Sequence, residues 1–135
     1  MENGELKHLK NSEINTVKWD NCVNKSYNGN IYAFSWYLDT ICENWEAIVE
    51  DDYKTIMPVL PARKFGYHFT FISPLAKQLG VYSTEILDKD KVKLFMDKLS
   101  KTYKLFNVNL NKYNKLDPQV FKQTLKENYE FDLIG

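Results

Sequence analysis

The sequence has little arginine, cysteine or histidine. Arg63 is the only arginine among 135 residues, so lysine supplies nearly all of the positive charge, and 18 basic residues balance 18 acidic ones. Arginine is the usual residue for bidentate recognition of phosphate or carboxylate groups. A formal charge of zero also gives no general attraction for DNA, RNA or an anionic membrane surface. We therefore predict no nucleic-acid partner.

The two cysteines and two histidines form no recognisable metal or redox motif. Cys22 and Cys42 lack the CxxC spacing, and His8 and His68 are too scattered to complete a zinc site with them. A disulfide between the cysteines is an alternative, but two buried free thiols are the favoured interpretation because both cysteines fall inside helical patterns. We predict no metal and no catalytic cysteine.

Long apolar runs and nucleotide-binding loops are also missing. No apolar run approaches the ~20 residues that span a bilayer, and Met1–Glu5 has neither the basic nor the apolar part of a signal peptide. We expect a cytoplasmic protein without a membrane span. No GxxxxGK[ST] or GxGxxG sequence occurs, which excludes nucleotide binding through those loops.

The apolar content is high enough for one packed core. Apolar residues make up 44% and aromatic residues 15% of the chain, a composition typical of a globular protein rather than a disordered one. A length of 135 residues fits a single domain. Residues 1–12 are polar, and we expect them to be flexible.

Capping residues and apolar spacing predict three helices. Ser12 can cap a helix that runs to about Lys25, and a second helix is predicted to start after Ser35 and to end near residues 43–44. Asp88 is a suitable N-cap for a third helix. One face of that third helix carries its apolar residues, and lysines lie opposite: Val92, Phe95, Met96, Leu99 and Tyr103.

Alternating and apolar stretches predict the strands. Three antiparallel strands are expected between the second and third helices, over Trp45–Glu50, Tyr53–Phe65 and Tyr67–Ile72. After the third helix the pattern predicts a strand, a short helical or turn segment and a last strand, over Phe106–Asn111, Leu116–Lys126 and Tyr129–Ile134.

The predicted strands have a specific register and order. A two-residue turn at Asp51-Asp52 would place Glu50 opposite Tyr53. Pro58 and Pro61 cannot donate to a strand ladder, so the second strand should be an edge or be bulged there. The third strand is largely apolar on both faces and is expected to be central in the sheet.

The candidate site residues are few. His68 has the chemistry of a general base, but no nucleophile motif or metal-spaced partner accompanies it, so a structural or exposed strand histidine is favoured. The other candidates lie in three places: Trp36 with Tyr37, Arg63 with Lys64, and residues 73–82. The proline pair and the basic dipeptide that follows it can line a cleft. Alternatively, the aromatic residues pack and the basic residues face water.

Several short stretches together resemble a known family. They are Trp19–Cys22, Tyr32–Asp39, Trp45–Ala47, Met57–Val59 and Gln78–Ser83. In this order they resemble the amino-terminal part of Bacteroidetes-type GNAT/FemAB-like acyltransferases, which are built from two GNAT-like halves in tandem. The resemblance spans about residues 14–134 and covers only the first half of such a protein.

The resemblance implies a fold and a role. It implies an α/β (α+β) fold with a central mixed, mostly antiparallel sheet flanked by helices. It also places the Ser-Trp helix start and the loop after the third strand near a groove for a small-molecule or peptide acceptor. The resemblance implies that Trp36, Tyr37, Tyr67 and Gln78 to Tyr82 contribute to this groove. Arg63 is a further candidate, because the proline pair and the basic dipeptide can line a cleft.

The family's pyrophosphate loop, Q/R-x-x-G-x-G/A between a strand and a helix, is absent, because Gln78-Leu79-Gly80 has the wrong spacing. Such a loop presents helix amides to phosphate. We therefore expect an acyl-CoA or aminoacyl donor to require a complete protein, and this chain to be inactive without a second GNAT-like half. The alternative is a binding or homodimerisation module that uses the exposed last strand, Tyr129–Ile134, as its pairing edge.

Overall fold

The structure, a computed structural model, describes residues 4–71, 73–76, 79–104, 106 and 114. Its helices are α1 (Thr16–Lys25), α2 (Ser35–Ile41) and α3 (Lys89–Thr102). Its strands are β1 (Leu6–Leu9), β2 (Glu46–Glu50), β3 (Thr55–Val59), β4 (Pro61–Lys64), β5 (Tyr67–Thr70) and β6 (Tyr82–Ser83). All strand pairs in this part of the chain are antiparallel. The predicted α/β (α+β) class with a mostly antiparallel sheet is confirmed.

The main sheet has the strand order β1-β2-β3-β6. Its first strand corrects the expectation that residues 1–12 are flexible, because β1 pairs with β2 from Leu6 opposite Glu50 to Leu9 opposite Ala47. The two leucines pack against opposite faces of the sheet. Two apolar anchors and a strand ladder are enough to order this short polar segment.

The turn between β2 and β3 is longer than predicted. Glu50 lies opposite Thr55 rather than Tyr53, so four residues form the connection instead of two. Asp51 and Tyr53 adopt positive φ values of 50° and 65°. A two-residue shift in register leaves every side chain on its predicted face. The hydrophobic pattern alone therefore could not determine the register between β2 and β3.

The predicted long second strand divides at Leu60. Its first part, β3, stays in the main sheet, and its second part, β4, pairs with β5 in a separate two-stranded ribbon. Among the described residues β6 pairs with β3 only at Thr55 and Ile56, so Pro58 has a ladder partner on the β2 side alone. Among the described residues the strand has an edge at Pro58, as expected, and at Leu60 it is interrupted rather than bulged.

The predicted central position of the third strand is wrong. β5 pairs with β4 alone in the described part of the chain, and the Tyr67 side chain is 69% exposed. The largely apolar faces of this strand favour a buried position. Its aromatic residues instead occupy an exposed ribbon. Gly66, with φ of 82°, closes the turn between the two strands, as glycine readily does.

Helices cover both faces of the main sheet. On one face α1 and α2 pack through Trp19 and Leu38, and the Trp19 and Trp45 rings lie 4.8 Å apart between centroids. On the other face α3 buries four of the five residues predicted for it, and Tyr103 follows at its end, also buried. Asp88 caps α3 as predicted, accepting a hydrogen bond from the Lys91 amide at 2.8 Å.

Two further expectations can be compared with the structure. The cap of α1 is Asn15, whose side chain accepts from the Lys18 amide, and not Ser12, which lies in a preceding 3-10 turn.

Cys22 and Cys42 are buried free thiols, as predicted, and burial raises the pKa of both. Neither thiol is therefore a ready nucleophile.

The three segments predicted after α3 lie outside the described residues, apart from Phe106. Asn114 is buried, and its side chain both accepts from the Val81 amide and donates to the Val81 carbonyl, at 2.8 and 2.9 Å. This side chain thereby pairs with Val81 beside β6. Of the described helices, none combines the length and apolar composition needed to cross a membrane.

Candidate functional site

The start of α2 is fixed by a hydrogen-bonded contact with α1. The Ser35 amide and hydroxyl donate to the two carboxylate oxygens of Asp20 at 2.8 and 2.7 Å. Ser35 is buried and Asp20 is half-buried. Hydrogen bonds to an ionised carboxylate are stronger than those between neutral groups. The contact sets the direction of α2 and of the aromatic residues at its start.

Four aromatic residues around the start of α2 form one cluster with the loop after β5. We call Tyr32, Phe34, Trp36, Tyr37 and Leu75 the aromatic surface. The Phe34 and Trp36 rings stack with centroids 6.3 Å apart, and Tyr32 and Tyr37 meet edge to face at 5.5 Å. Trp36 is nevertheless 56% exposed and Leu75 61% exposed. Rigid aromatic side chains that remain exposed are typical of binding surfaces.

Tyr37 connects α2 to the loop after β5. Its hydroxyl donates to the Leu75 carbonyl oxygen. The loop is also braced internally, because Ser73 accepts from the Leu75 amide through its hydroxyl and from the Ala76 amide through its carbonyl, each at 3.1 Å. The structure thus brings together Trp36, Tyr37 and the first residues of the 73–82 segment.

Arg63 and Tyr67 lie elsewhere, on the β4–β5 ribbon. Arg63 donates from Nε and an amino group to Nε2 of His68 at 3.2 and 2.8 Å. His68 is exposed and serves here as a hydrogen-bond acceptor across the ribbon. The favoured interpretation of His68 as an exposed strand residue agrees with this placement.

Tyr82 and Gln78 are the remaining predicted residues. Tyr82 is fully buried in the core, and its hydroxyl donates to the Asn30 side chain at 3.3 Å. Gln78 lies outside the described residues. The five described residues among the six predicted to bind substrate therefore occupy three separate environments. Of these, only the one around Trp36 and Tyr37 joins two predicted groups.

A polar cavity at the start of α3 has no counterpart among the predicted sites. It has a volume of about 350 Å³, at the lower end of the ~300–1,000 Å³ of small-molecule pockets. It lies where β2, β3, β6 and the loop before α3 meet. The cavity is lined by Glu50, Lys54, Thr55, Ser83, Glu85, Ile86, Leu87, Asp88, Asp90 and Lys91.

Glu50 is the buried charge of this cavity, with 1% of its surface exposed. Its Oε2 accepts hydrogen bonds from the Lys91 ammonium and from the Gly4 amide. Its Oε1 has no hydrogen-bond partner with good geometry among the described residues. Burial would raise the pKa of Glu50, but the hydrogen bond from Lys91, the nearby Thr55 hydroxyl, the Gly4 amide and the Lys91 charge outweigh it and lower the pKa. The carboxylate is therefore charged at neutral pH.

The sequence pattern indicates that Glu50 needs a partner, but it does not identify the cavity. The alternating pattern of β2 places Glu50 at the end of a buried strand, where a carboxylate needs a partner. Lys91 is one of several lysines around α3, and the helical pattern assigns all of them to a solvated face. Only the fold shows that Lys91 turns toward the sheet.

A second polar cluster ties β1, β2 and α3 together. His8 Nε2 and the Tyr103 hydroxyl both contact Glu46 Oε1 at 2.8 Å. Burial alone would raise the pKa of Glu46, but the hydrogen bonds from His8 and Tyr103 outweigh it and lower the pKa. Burial and the adjacent Glu46 raise the pKa of Tyr103, so this phenol stays protonated. These contacts make the cluster a structural link between β1, β2 and the end of α3.

Within the described ranges, no group of three or more His, Cys, Asp or Glu side chains is arranged to hold a metal ion. Comparison with known proteins adds no constraint on the site. No family model matches the chain, and neither a curated protein nor a solved structure matches it. The fold and the local chemistry must therefore carry any functional argument.

Proposed function

We propose that this chain is the acceptor-binding, amino-terminal half of a GNAT/FemAB-like acyl- or aminoacyltransferase. The aromatic surface is its contribution to the acceptor groove. The chain does not bind the acyl donor by itself. In such an enzyme the groove acts by positioning the acceptor rather than by a covalent nucleophile.

The observation that carries this proposal is the contact between Tyr37 and Leu75. The resemblance links a Ser-Trp helix start and the loop after the third predicted strand to one acceptor groove. In the structure those two segments touch, and Trp36 and Leu75 are exposed beside the contact. Their aromatic and apolar character favours an acceptor with an apolar or aromatic side chain, such as a peptide.

The charge at the start of α3 supports the absence of donor binding. A helix N-terminus that follows a strand can bind phosphate through its free amides. Here the Asp88 carboxylate caps the Lys91 amide, Asp90 lies in the first helical turn, and Glu85 lines the adjacent cavity. These carboxylates repel a pyrophosphate group, so this helix start is a poor site for acyl-CoA.

A thermal-shift experiment on the full chain tests both parts of the proposal. The probes are acetyl-CoA and a panel of tripeptides with free amino termini and aromatic, apolar or acidic side chains. A ligand at 100 times its dissociation constant adds about 2.7 kcal/mol of stability. We expect stabilisation by aromatic peptides and none by acetyl-CoA.

Variants locate the binding. Trp36→Ala should abolish the peptide effect, whereas Ile86→Ala, at another exposed apolar position, should preserve it. Stabilisation by acetyl-CoA alone, or a peptide effect that survives Trp36→Ala, contradicts the proposal.

The β4–β5 ribbon supports a second candidate, a homodimerisation module. Within the described part of the chain each of these strands pairs only with the other, and Phe65 and Tyr67 are exposed at the turn. Exposed aromatic side chains at such a turn can pack against a second copy of the chain. Light scattering distinguishes the candidates, because a stable dimer that Tyr67→Lys dissociates favours the module and a monomer favours the half-domain.

A further inference from the structure

The geometry points to a second binding site on this chain, the cavity around Glu50, with a small aliphatic amine as its ligand. The favoured ligand carries two ammonium groups. This site is independent of acyl transfer and of the aromatic surface. It is defined by its buried carboxylate, its charge and its hydroxyl groups.

The first observation is the environment of Glu50 Oε1. This carboxylate oxygen is buried and has no hydrogen-bond partner with good geometry among the described residues, although the other oxygen of the same carboxylate has two. A buried charged oxygen gains strongly from a hydrogen-bond donor. A ligand ammonium group supplies both the donor and the opposite charge.

The second observation is the charge of the cavity wall. Four carboxylates and two lysine ammonium groups line it, which leaves a formal excess of two negative charges. Both lysines already have carboxylate partners, Lys91 with Glu50 and Lys54 with Glu85. The unbalanced charge lies with Asp88 and Asp90 at the rim. A cation is therefore favoured, and an anion is disfavoured.

The third observation separates an amine from a metal ion. The described residues provide no group of three His, Cys, Asp or Glu side chains arranged to hold a metal ion. The Thr55 and Ser83 hydroxyls lie 3.2 Å apart in the cavity wall and can accept hydrogen bonds from an ammonium group. One amine would thus occupy the inner end, and a second would face the carboxylates of the rim.

Lys91 competes with the ligand for the Glu50 carboxylate. Its side chain is 18% exposed and its ammonium group occupies the same carboxylate that the ligand would use. An amine therefore competes with Lys91 and binds as this side chain moves aside. Removal of the Lys91 ammonium should strengthen amine binding, because the competing ammonium is lost and the cavity becomes more negative.

Calorimetric titration of the full chain with three matched compounds tests the inference. The compounds are butane-1,4-diamine, butylamine and butane-1,4-diol, which differ in charge but little in length, and sodium chloride at equal ionic strength is the salt control. We expect the diamine to bind about 5- to 10-fold more tightly than butylamine, and the diol not to bind. Equal binding of the diol, no diamine binding, or an equal effect of sodium chloride overturns the inference.

Four variants assign the binding to this cavity. Glu50→Gln should abolish diamine binding. Asp90→Asn, at an exposed rim position, should weaken it about 3- to 10-fold, which keeps the test decisive if the first variant does not fold. Lys91→Ala should tighten butylamine binding. The control Asp97→Asn, on α3 outside the cavity and with its side chain 44% exposed, should leave both affinities within about twofold.

The variant results give clear outcomes. Diamine binding that is unchanged by Asp90→Asn, or that is weakened equally by Asp97→Asn, assigns the effect to general surface charge and overturns the inference. Weaker butylamine binding to Lys91→Ala also overturns it, because the competing ammonium would then not be the one at Glu50.

Discussion

The Tyr37 hydroxyl donates a hydrogen bond to the Leu75 carbonyl oxygen, although the two residues lie 38 positions apart in the sequence. This contact holds the loop after β5 against the start of α2. Trp36, next to Tyr37, remains exposed. The aromatic surface is thus a product of long-range folding rather than of one sequence motif.

Removal of the Tyr37 hydroxyl should loosen this loop. Tyr37→Phe deletes one hydrogen bond with a net value of about 1 kcal/mol. We expect the Ala76 amide, which donates to the Ser73 carbonyl, to exchange with deuterium about fivefold faster. Tyr32→Phe, in the same ring cluster, is the matched control. Equal exchange in the two variants would show that the Tyr37 hydroxyl does not brace the loop.

Trp36 should be the tryptophan that aqueous quenchers reach. Trp19 and Trp45 are 0% exposed, whereas Trp36 is 56% exposed. Iodide should therefore quench one class of tryptophan fluorescence, and Trp36→Phe should remove that class. The folded state should lose no more than about 0.5 kcal/mol, because the position is at the surface. Iodide quenching that persists in Trp36→Phe would contradict the burial of the other two tryptophans.

The Lys91–Glu50 pair should contribute far more to stability than another lysine pair on α3. Lys91→Met leaves the Glu50 carboxylate buried without its cation, and we expect a loss of about 3 kcal/mol in urea unfolding. Lys93→Met breaks the exposed Lys93–Asp97 pair and should cost about 0.5 kcal/mol or less. Similar costs for the two substitutions would show that Lys91 is not a buried partner.

Stability should fall as the pH is lowered through the range of the buried glutamates. The pKa values of Glu46 and Glu50 are lower in the folded protein than the reference value of 4.5. The unfolded chain therefore binds more protons, so their contribution is full above about pH 4.5 and is lost as the pH falls through the folded values.

Urea unfolding between pH 7 and pH 3 measures this pH dependence. Glu46→Gln should make the slope of stability against pH shallower, and the exposed control Glu43→Gln should leave it unchanged. A Glu46→Gln variant with the slope of the native protein would contradict a lowered pKa for this carboxyl group.

The helices were the most predictable part of the fold. Asp88 and the apolar spacing after it correctly defined α3, because a cap and a helical face are local properties of the sequence. The start of α1 was misplaced by three residues, since Ser12 and Asn15 are both suitable caps. The choice between them depends on Tyr53, whose hydroxyl accepts from the Asn15 amide at 2.8 Å. That contact is not visible in the local sequence.

The sheet was predicted less well because its order depends on distant contacts. The strand stretches were located, but the division at Leu60 and the ordering of β1 depend on which partner each strand finds. Trp36 and Tyr37 could be selected as site residues from the sequence. The resemblance places the start of their helix and the loop after the third predicted strand near one groove, but the particular contact with Leu75 is visible only in the fold. The Glu50 cavity could not be predicted, because Lys91 reaches Glu50 across 41 positions.

The most direct test of the acceptor-binding role is iodide quenching of Trp36 in the full chain during titration with the peptide panel and, separately, with acetyl-CoA. An acceptor that covers the aromatic surface should shield Trp36 and lower the quenching, and Ile86→Ala should behave like the native protein. Our account predicts shielding by at least the aromatic peptides and none by acetyl-CoA. Shielding by acetyl-CoA, or unchanged quenching with every peptide, would contradict it.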